Sequence, residues 1–217
     1  MTPPIPPQTR STWRPLALVL ALALVLGGGW KLYETKVQFR LGAVSGHLVY
    51  KSGAMPSAHL AAVAKDLGLR SVIDLRTFAQ GQDSTNTTPL ANIQAERATL
   101  EAIGVRHIHL PTGQVPNQET VDQFLAVMAD PRNLPTLIHC YHGIGRTELF
   151  VAVYRMEFEG WSNTQARAAT RFLLAGSSFS DTSEKGRYLI SYQPKIRTNA
   201  SPAGPLPPGA APAALLP

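Results

Sequence analysis

The chain has 217 residues, of which 44% are hydrophobic and 16% charged, a composition typical of a globular protein. Its formal net charge of +6 favours anionic partners: phosphorylated substrates, acidic membrane surfaces or nucleic acid. Nucleic acid is the weakest of the three, because the sequence has no lysine- and arginine-rich run and no basic stripe interleaved with aromatic residues. The single cysteine excludes an internal disulfide and a four-cysteine zinc site.

An uncharged segment near the amino terminus governs the predicted placement of the chain. Residues 1–14 are proline-rich and predicted to be disordered, whereas residues 15–30, PLALVLALALVLGGGW, carry no charge. This run predicts a single-pass membrane anchor or, alternatively, the apolar region of a cleaved signal peptide. We favour the anchor, because no clear cleavage site follows and Trp13 and Trp30 lie where interfacial aromatic residues are common. Residues 31–40 would form a stalk that leaves the domain outside the cytoplasm; a cleaved signal would leave a secreted or periplasmic protein.

From residue 41 to residue 193, short apolar runs alternate with segments of helical periodicity. The short runs are predicted to be strands: 47–50, 71–75, 105–111 and 136–139. The periodic segments are predicted to be helices: Pro56 to Gly68, 90–104, 121–128, 146–159 and 162–174. The alternation predicts an α/β domain whose central, mostly parallel sheet is flanked by helices, with a site beyond the carboxyl ends of the strands. The proline- and alanine-rich segment 194–217 lacks periodicity and is predicted to be a disordered tail.

The only cysteine lies in the stretch LIHCYHGIGRTE, residues 137–148, between a predicted strand and a predicted helix. Gly143 and Gly145 let the backbone curl, so that successive amides turn inward and bind an anion. The helix that begins near Arg146 adds its positive end, and the Arg146 guanidinium can hold two phosphate oxygens. The same positive field stabilises a thiolate, so Cys140 is predicted to be a nucleophile.

Further residues near the cysteine are predicted to contact the bound anion or to support the loop. The hydroxyl of Thr147 can hydrogen-bond the sulfur, and His139 is expected to order the loop rather than to act as a base. Arg76 and Lys51, at the ends of earlier strands, can line the rim of the pocket. The remaining predicted substrate-binding residues all lie in the loop: Tyr141, His142, Gly143, Ile144 and Gly145.

The segment HCYHGIGRT fits the His-Cys-x5-Arg-Ser/Thr signature of the cysteine-dependent protein tyrosine and dual-specificity phosphatases. Three other stretches resemble bacterial dual-specificity-like members of that superfamily: LVYKSGAMP (48–56), SVIDLR (71–76) and HIHLPTGQVPNQE (107–119). The resemblance implies a phosphatase-like fold in which Cys140 attacks phosphorus and forms a phosphocysteine that water hydrolyses. It implies no metal and no cofactor, and as partner a phosphorylated protein or a small phosphomonoester. Because Ile144 is apolar where lipid-phosphate members often carry lysine, we favour phosphotyrosine.

One departure from the family concerns the general acid. The family usually carries an aspartate on the loop that precedes the helix before the signature strand, yet the loop 111–116, PTGQVP, holds no carboxylate. The nearest groups that can carry a proton are Glu119, Asp122, Asp74 and His109. We predict Asp122 as the general acid.

Other interpretations of the cysteine loop are open to test. Without a proper acid the domain can be a pseudophosphatase that only binds phosphorylated ligands, and an inositol phosphate or phosphoinositide phosphatase is a further alternative. A metal site from His139, Cys140 and His142 is disfavoured, because adjacent side chains point apart and no distant ligand cluster completes it. A rhodanese-like sulfur carrier is disfavoured because its loop is one residue shorter.

Overall fold

The structure is a computed structural model that describes residues 13–36, 38–78 and 87–195. The described residues form seven strands: β1 (Gly42–Ser45), β2 (Val49–Gly53), β3 (Ser71–Asp74), β4 (Thr77–Phe78), β5 (Thr87–Thr88), β6 (Arg106–His109) and β7 (Thr136–Cys140). They also form seven α-helices: α1 (Trp13–Lys36), α2 (Ser57–Asp66), α3 (Leu90–Glu101), α4 (Gln118–Ala129), α5 (Arg146–Phe158), α6 (Asn163–Ala168) and α7 (Glu184–Ser191).

The central sheet has five strands in the order β1-β2-β7-β3-β6. β7 lies in the middle and pairs in parallel with both β2 and β3, and β6 extends the parallel part, whereas β1 is antiparallel to β2. The sheet is therefore mixed, and the prediction of an α/β fold with a mostly parallel sheet flanked by helices is confirmed. The register places Cys140 beside Gly53 at the carboxyl end of the parallel strands.

Alternate residues of the buried strands belong to two separate hydrophobic cores, one on each face of the sheet. Val49, Ile73 and Ile138 belong to the core that α4, α5 and α7 cover, whereas Val72 and Leu137 belong to the core that α2 and α3 cover. Successive side chains of a strand point to opposite faces, so both faces of the sheet are buried. The same alternation places the Cys140 side chain on the α5 face of the sheet.

Several boundaries differ from the prediction because tertiary pairing sets them. The strands β1, β4 and β5 and the helix α7 were not predicted, since they are short and lack a strong periodic pattern. The helix α6 begins at Asn163 with a capping box formed by Ser162 and Gln165, but it ends at Ala168 instead of residue 174. Residues 79–86 lie outside the described residues.

The amino-terminal segment forms the helix α1, which continues to Lys36 through part of the predicted stalk. In the part of the chain that the structure describes, no helix is long and apolar enough to cross a membrane. The predicted anchor at residues 15–30 is therefore not supported, and the predicted placement outside the cytoplasm stays a prediction. The folded domain begins at Phe39, whose ring lies 5.2 Å from that of His59. Residues 1–12 and 196–217, which hold most of the two segments predicted to be disordered, lie outside the described residues.

Candidate active site

The loop between β7 and α5 wraps its backbone around the sulfur of Cys140. Cys140 ends β7 and is buried, and the Gly143 amide donates a hydrogen bond to Sγ at 3.3 Å. Gly143 has a φ of +69°, which L side chains rarely adopt, so a glycine is required at this turn of the loop. The loop therefore presents an amide to the sulfur, as the spacing of its glycines predicts.

The end of β2 packs directly against this loop. A Cβ atom built on Gly143 would lie 2.5 Å from the backbone nitrogen of Gly53, and one built on Gly53 would lie 3.2 Å from the carbonyl carbon of His142. The Ala54 amide donates to the Tyr141 carbonyl at 3.1 Å, which fixes the outer side of the loop. This close approach explains the role of the stretch 48–56: its glycine lets β2 support the cysteine loop.

Arg146 is the first residue of α5, and its guanidinium is held by two backbone carbonyls. Nη1 donates to the carbonyl of Leu75 at 3.0 Å and to that of Thr112 at 3.2 Å. The side chain is almost fully buried and also lines the pocket that contains Cys140. The two carbonyls orient the planar guanidinium, which leaves it able to bind a phosphoryl group with a defined geometry.

The surroundings of Cys140 favour its thiolate. Burial alone would raise the pKa of the thiol, but the Thr147 hydroxyl and amide, the charge of Arg146 and the Gly143 amide act against burial and hold the pKa below its usual value. The Thr147 hydroxyl is buried and falls short of regular hydrogen-bond geometry, so we assign it a weaker role than the Gly143 amide. Cys140 is thus suited to act as a nucleophile near neutral pH.

A small, positively charged pocket opens beside the sulfur. It has a volume of about 160 Å³, below the roughly 300–1,000 Å³ of pockets for drug-sized ligands, so it suits a small anionic group. Three of its side chains, Arg146, Arg171 and Lys185, carry positive charge. Its lining residues are Gln114, Cys140, His142, Ile144, Gly145, Arg146, Arg171, Ser178 and Lys185.

A second, fully enclosed set of ionisable side chains lies on the opposite face of the sheet, toward α3. The Arg76 guanidinium donates to both oxygens of Asp74 at 2.8 Å and to Glu96 Oε2 at 2.6 Å. The other oxygen of Glu96, Oε1, lies 3.2 Å from Nε2 of His107 and 3.0 Å from Nε2 of His139. These five residues, here called the buried network, link α3 to the ends of β3, β6 and β7.

The buried network also contains the described group that best matches a metal site. One ligand atom from each of Asp74, Glu96 and His139 lies within 4.8 Å of the others. Both carboxylates, however, already accept hydrogen bonds from Arg76, whose guanidinium supplies the positive charge that a metal ion would bring. The geometry therefore fits an arginine-centred network better than a metal, and the predicted absence of a metal stays a prediction.

Comparison with known proteins places this site in a family. A family profile described as a DSP-PTPase phosphatase fused to NAD+ kinase matches residues 41–186, which include all of the cysteine loop. The chain belongs to this phosphatase family. It is 32% identical over 120 residues to the dual specificity protein phosphatase TpbA of Pseudomonas aeruginosa, an alignment that covers 54% of this chain and 47% of TpbA. The chain thus spans about half the length of the curated relatives it matches.

Solved structures share the fold of this phosphatase domain. The core catalytic domain of the PP-IP phosphatase Siw14 from S. cerevisiae superposes with a TM-score of 0.53 at 20% identity, covering 70% of this chain and 85% of Siw14. The crystal structure of P. aeruginosa TpbA superposes with a TM-score of 0.50 at 24% identity, covering 71% of this chain and 85% of TpbA. At these identities the likeness shows the fold alone.

The phosphatase domain brings most of the predicted loop residues to the pocket. Five of them form part of its wall, and Gly143, which does not line the pocket, donates its amide hydrogen to the sulfur of Cys140. The Tyr141 side chain is 48% exposed and does not line the pocket, and Thr147 is buried beneath it. The five predicted residues on the wall are Cys140, His142, Ile144, Gly145 and Arg146.

Two predicted residues lie away from the pocket. Asp122 is exposed on α4, where its carboxylate accepts hydrogen bonds from Gln118 at 2.9 Å and from Lys195 at 2.6 Å. These two donors keep the pKa of Asp122 below its usual value, which opposes the role of an acid. Arg76 belongs to the buried network rather than to the pocket rim, because it follows Asp74 by two residues and shares its side of the sheet. Neither side chain reaches the pocket wall in this geometry.

The remaining predicted groups also have other partners. Lys51 pairs with Glu148 at 2.7 Å, and His139 contacts Glu96, so His139 orders the end of β7 from the opposite face of the sheet. Four residues of the pocket wall were not predicted from the sequence: Gln114, Arg171, Ser178 and Lys185. Of these, only Gln114 falls in a stretch that the resemblance singled out, the loop 111–116.

Removing Arg76 is expected to destabilise the phosphatase domain strongly. Arg76→Met would leave the buried carboxylates of Asp74 and Glu96 without their main hydrogen-bond donor, and breaking a buried ion pair in this way costs about 3–5 kcal/mol. The free energy of unfolding, measured in denaturant, should fall by an amount of this order. Arg132→Met is the matched control, since the Arg132 side chain is 83% exposed in its ion pair with Asp130. Equal stability of Arg76→Met and the wild type would contradict the expectation.

The pH at which the free energy of unfolding should be measured follows from the ionisable groups of the buried network. Burial alone would raise the pKa of Glu96, but His139, His107 and Arg76 lower it to about 2. The stabilisation that ionised Glu96 gives the folded domain is therefore fully present above about pH 4.5 and is lost as the pH falls toward about 2. Burial would lower the pKa of His107 and His139, but the two carboxylates raise both, so their contribution is complete below about 6.5 and is lost at higher pH. The network stabilises the domain most between about pH 4.5 and pH 6.5.

Proposed function

We propose that this domain hydrolyses phosphate monoesters through a phosphocysteine intermediate. The observation that carries the proposal is the shared pocket of Cys140 and Arg146, in which a thiolate and an anion-binding guanidinium face the same small volume. A phosphoryl group bound by the loop amides and by Arg146 would lie against the sulfur, which is the geometry that in-line attack requires.

The chemistry then proceeds in two steps. The Cys140 thiolate attacks phosphorus and the bond to the ester oxygen breaks, while Arg146 and the loop amides stabilise charge on the equatorial oxygens. Water next attacks the phosphocysteine, the phosphorus–sulfur bond breaks, and inorganic phosphate leaves with the thiolate restored. The lowered pKa of Cys140 makes the thiolate both the attacking group of the first step and an acceptable leaving group of the second.

For the substrate we propose a phosphorylated protein, with phosphotyrosine favoured and phosphoserine or phosphothreonine also possible as substrates. The curated relative TpbA is described as a dual specificity protein phosphatase, and it shares 32% identity with this chain over the matched region. Ile144 is 39% exposed at the pocket and offers an apolar contact to an aromatic ring.

A second substrate class is favoured by a specific observation, the additional cations of the pocket. Arg171 and Lys185 line it together with Arg146, and a ligand with more than one phosphate would use all three charges. Inositol phosphates have this character, and the PP-IP phosphatase Siw14 has the same fold. Phosphotyrosine remains our first choice, because the pocket is small and its rim includes Ile144.

A substrate panel on the purified full chain tests the proposal. Release of inorganic phosphate is measured from phosphotyrosine peptides, phosphoserine peptides, inositol phosphates and an aryl phosphate, with and without a chelator. We expect the aryl phosphate and the phosphotyrosine peptides to be hydrolysed at rates that the chelator does not change. Binding of vanadate without hydrolysis of any substrate would instead show a pseudophosphatase.

A further inference from the structure

The proposed reaction needs a proton for its leaving group, and this family usually supplies it from an aspartate. Among the residues that the structure describes, no aspartate or glutamate lines the pocket. The nearest acids of the sequence have other positions: Asp122 and Glu119 are exposed on α4, and Asp74 belongs to the buried network. The Nε2 atom of His109 lies 2.8 Å from the carbonyl oxygen of Arg76, and His109 does not line the pocket. Within the part of the chain that the structure describes, this leaves the other groups of the pocket wall as candidates for the acid.

Lys185, in the first turn of α7, is placed for this role. Its side chain is only 9% exposed, and it lines the same pocket as Cys140. Nζ donates to Oε1 of Gln114 at 2.5 Å, so the ammonium is tied to the loop on which the family usually carries its acid. A Cβ atom built on Gly145 would lie 3.4 Å from Nζ, which places the ammonium directly over the cysteine loop.

The surroundings of Lys185 make its ammonium a stronger acid than an ordinary lysine. Burial lowers the pKa most and Arg171 and Arg146 lower it further, while the Cys140 thiolate and Glu184 act in the opposite direction. The first turn of a helix also disfavours a positive charge. His142 also lines the pocket, and its side chain is exposed to water, whereas that of Lys185 is buried.

We propose that Lys185 is the general acid of this domain: its ammonium protonates the leaving oxygen, and Gln114 orients it. The proposal rests on the proposed phosphatase function. As the thiolate forms the phosphorus–sulfur bond, the phosphorus–oxygen bond breaks and the leaving oxygen takes one proton from Nζ, which becomes a neutral amine. That amine then accepts a proton from the water that attacks the phosphocysteine. The thiolate and the ammonium are restored, and the products are an alcohol or phenol and inorganic phosphate.

A general acid and a phosphate ligand predict different responses to the leaving group. Phenyl phosphate has a leaving group that needs a proton, whereas 4-nitrophenyl phosphate has one that leaves readily without it. For Lys185→Met we expect kcat for phenyl phosphate to fall by about 100-fold or more and kcat for 4-nitrophenyl phosphate to change by only a few fold. Lys185→Arg should behave in the same way, because the guanidinium keeps the charge but does not release a proton near neutral pH.

The pH profile and two control variants complete the test. The alkaline limb of kcat for phenyl phosphate in the wild type, which reports loss of the ammonium proton, should vanish in Lys185→Met. Asp122→Asn and Lys195→Met, which change an exposed ion pair away from the pocket, should leave both substrates unaffected. The free energy of unfolding, measured in denaturant for each variant, shows that the domain is still folded, and vanadate binding then reports on the anion site alone.

The outcomes separate this inference from the proposed function. Equal loss for both aryl phosphates, or loss of vanadate binding in Lys185→Met, would make Lys185 a phosphate ligand and overturn its role as the acid while the phosphatase function stands. A loss confined to phenyl phosphate in Asp122→Asn would assign the acid to Asp122 and also overturn it. A wild-type protein without activity on either substrate would remove both proposals together.

Discussion

Cys140→Ser is expected to lose turnover of an aryl phosphate by more than about 1,000-fold and to keep its affinity for vanadate. The loop that surrounds the sulfur favours a negative charge, because the Gly143 amide donates to Sγ and Arg146 lies in the same pocket. The lowered pKa of the Cys140 thiol favours its ionisation, whereas a serine hydroxyl is a far weaker acid than a thiol. In the proposed site the anion is held by backbone amides and Arg146, and the substitution leaves both in place.

The measurement combines phosphate release with vanadate binding by titration of the same preparation. Trapping adds a second readout: the wild type should leave a covalent phosphoenzyme when its reaction with an aryl phosphate is quenched by a denaturant, and Cys140→Ser should leave none. Substantial hydrolysis by Cys140→Ser would refute the thiolate mechanism. Loss of vanadate binding would show that the sulfur itself helps to hold the anion.

Arg146→Lys is expected to lower kcat/KM for an aryl phosphate by about 100-fold or more. The guanidinium uses Nη1 to bind the carbonyls of Leu75 and Thr112, so the planar group is fixed before the substrate arrives. An ammonium can replace the charge, but it cannot bind two carbonyls and two phosphoryl oxygens in the same plane. The loss should therefore appear in kcat as well as in KM.

Arg155→Lys is the matched control for this variant. Arg155 lies on the same helix, α5, and its guanidinium stacks 4.5 Å from the ring of Trp161, outside the pocket. We expect its kcat/KM to remain close to that of the wild type. If Arg146→Lys behaves like Arg155→Lys, Arg146 has a structural role only, and the anion is held by the loop amides.

That Cys140 and Arg146 share one pocket was predictable because the information lies within one short segment. Cys140 and Arg146 are separated by a loop whose length and glycines are visible in the sequence, and strand-loop-helix geometry brings them to one pocket. Arg76 was misplaced for a reason that is also local. Arg76 follows Asp74 by two residues, and because side chains along an extended chain alternate between the two faces of the sheet, both point toward α3.

The remaining residues of the pocket wall are brought together by tertiary contacts, which a local sequence pattern does not predict. Lys185 reaches the pocket from α7, a helix that was not predicted, and it contacts Gln114 across 71 positions of the chain. Asp122, in contrast, was predicted to lie at the pocket and does not. Nearness in sequence to the loop 111–116 favoured it, but α4 turns its core-facing residues, such as Val121 and Phe124, inward and leaves Asp122 at the surface.

The two hydrogen bonds that hold the loop 111–116 affect whether this loop is ordered before a ligand binds. Thr112 is fastened to Arg146 and Gln114 to Lys185, so the wall opposite the sulfur is already assembled before a ligand enters. Enzymes that close a mobile flap over each substrate must repeat that ordering in every cycle, often at a cost in speed. In the proposed reaction this ordering is completed when the chain folds, so that an incoming phosphate ester would meet a wall that is already assembled.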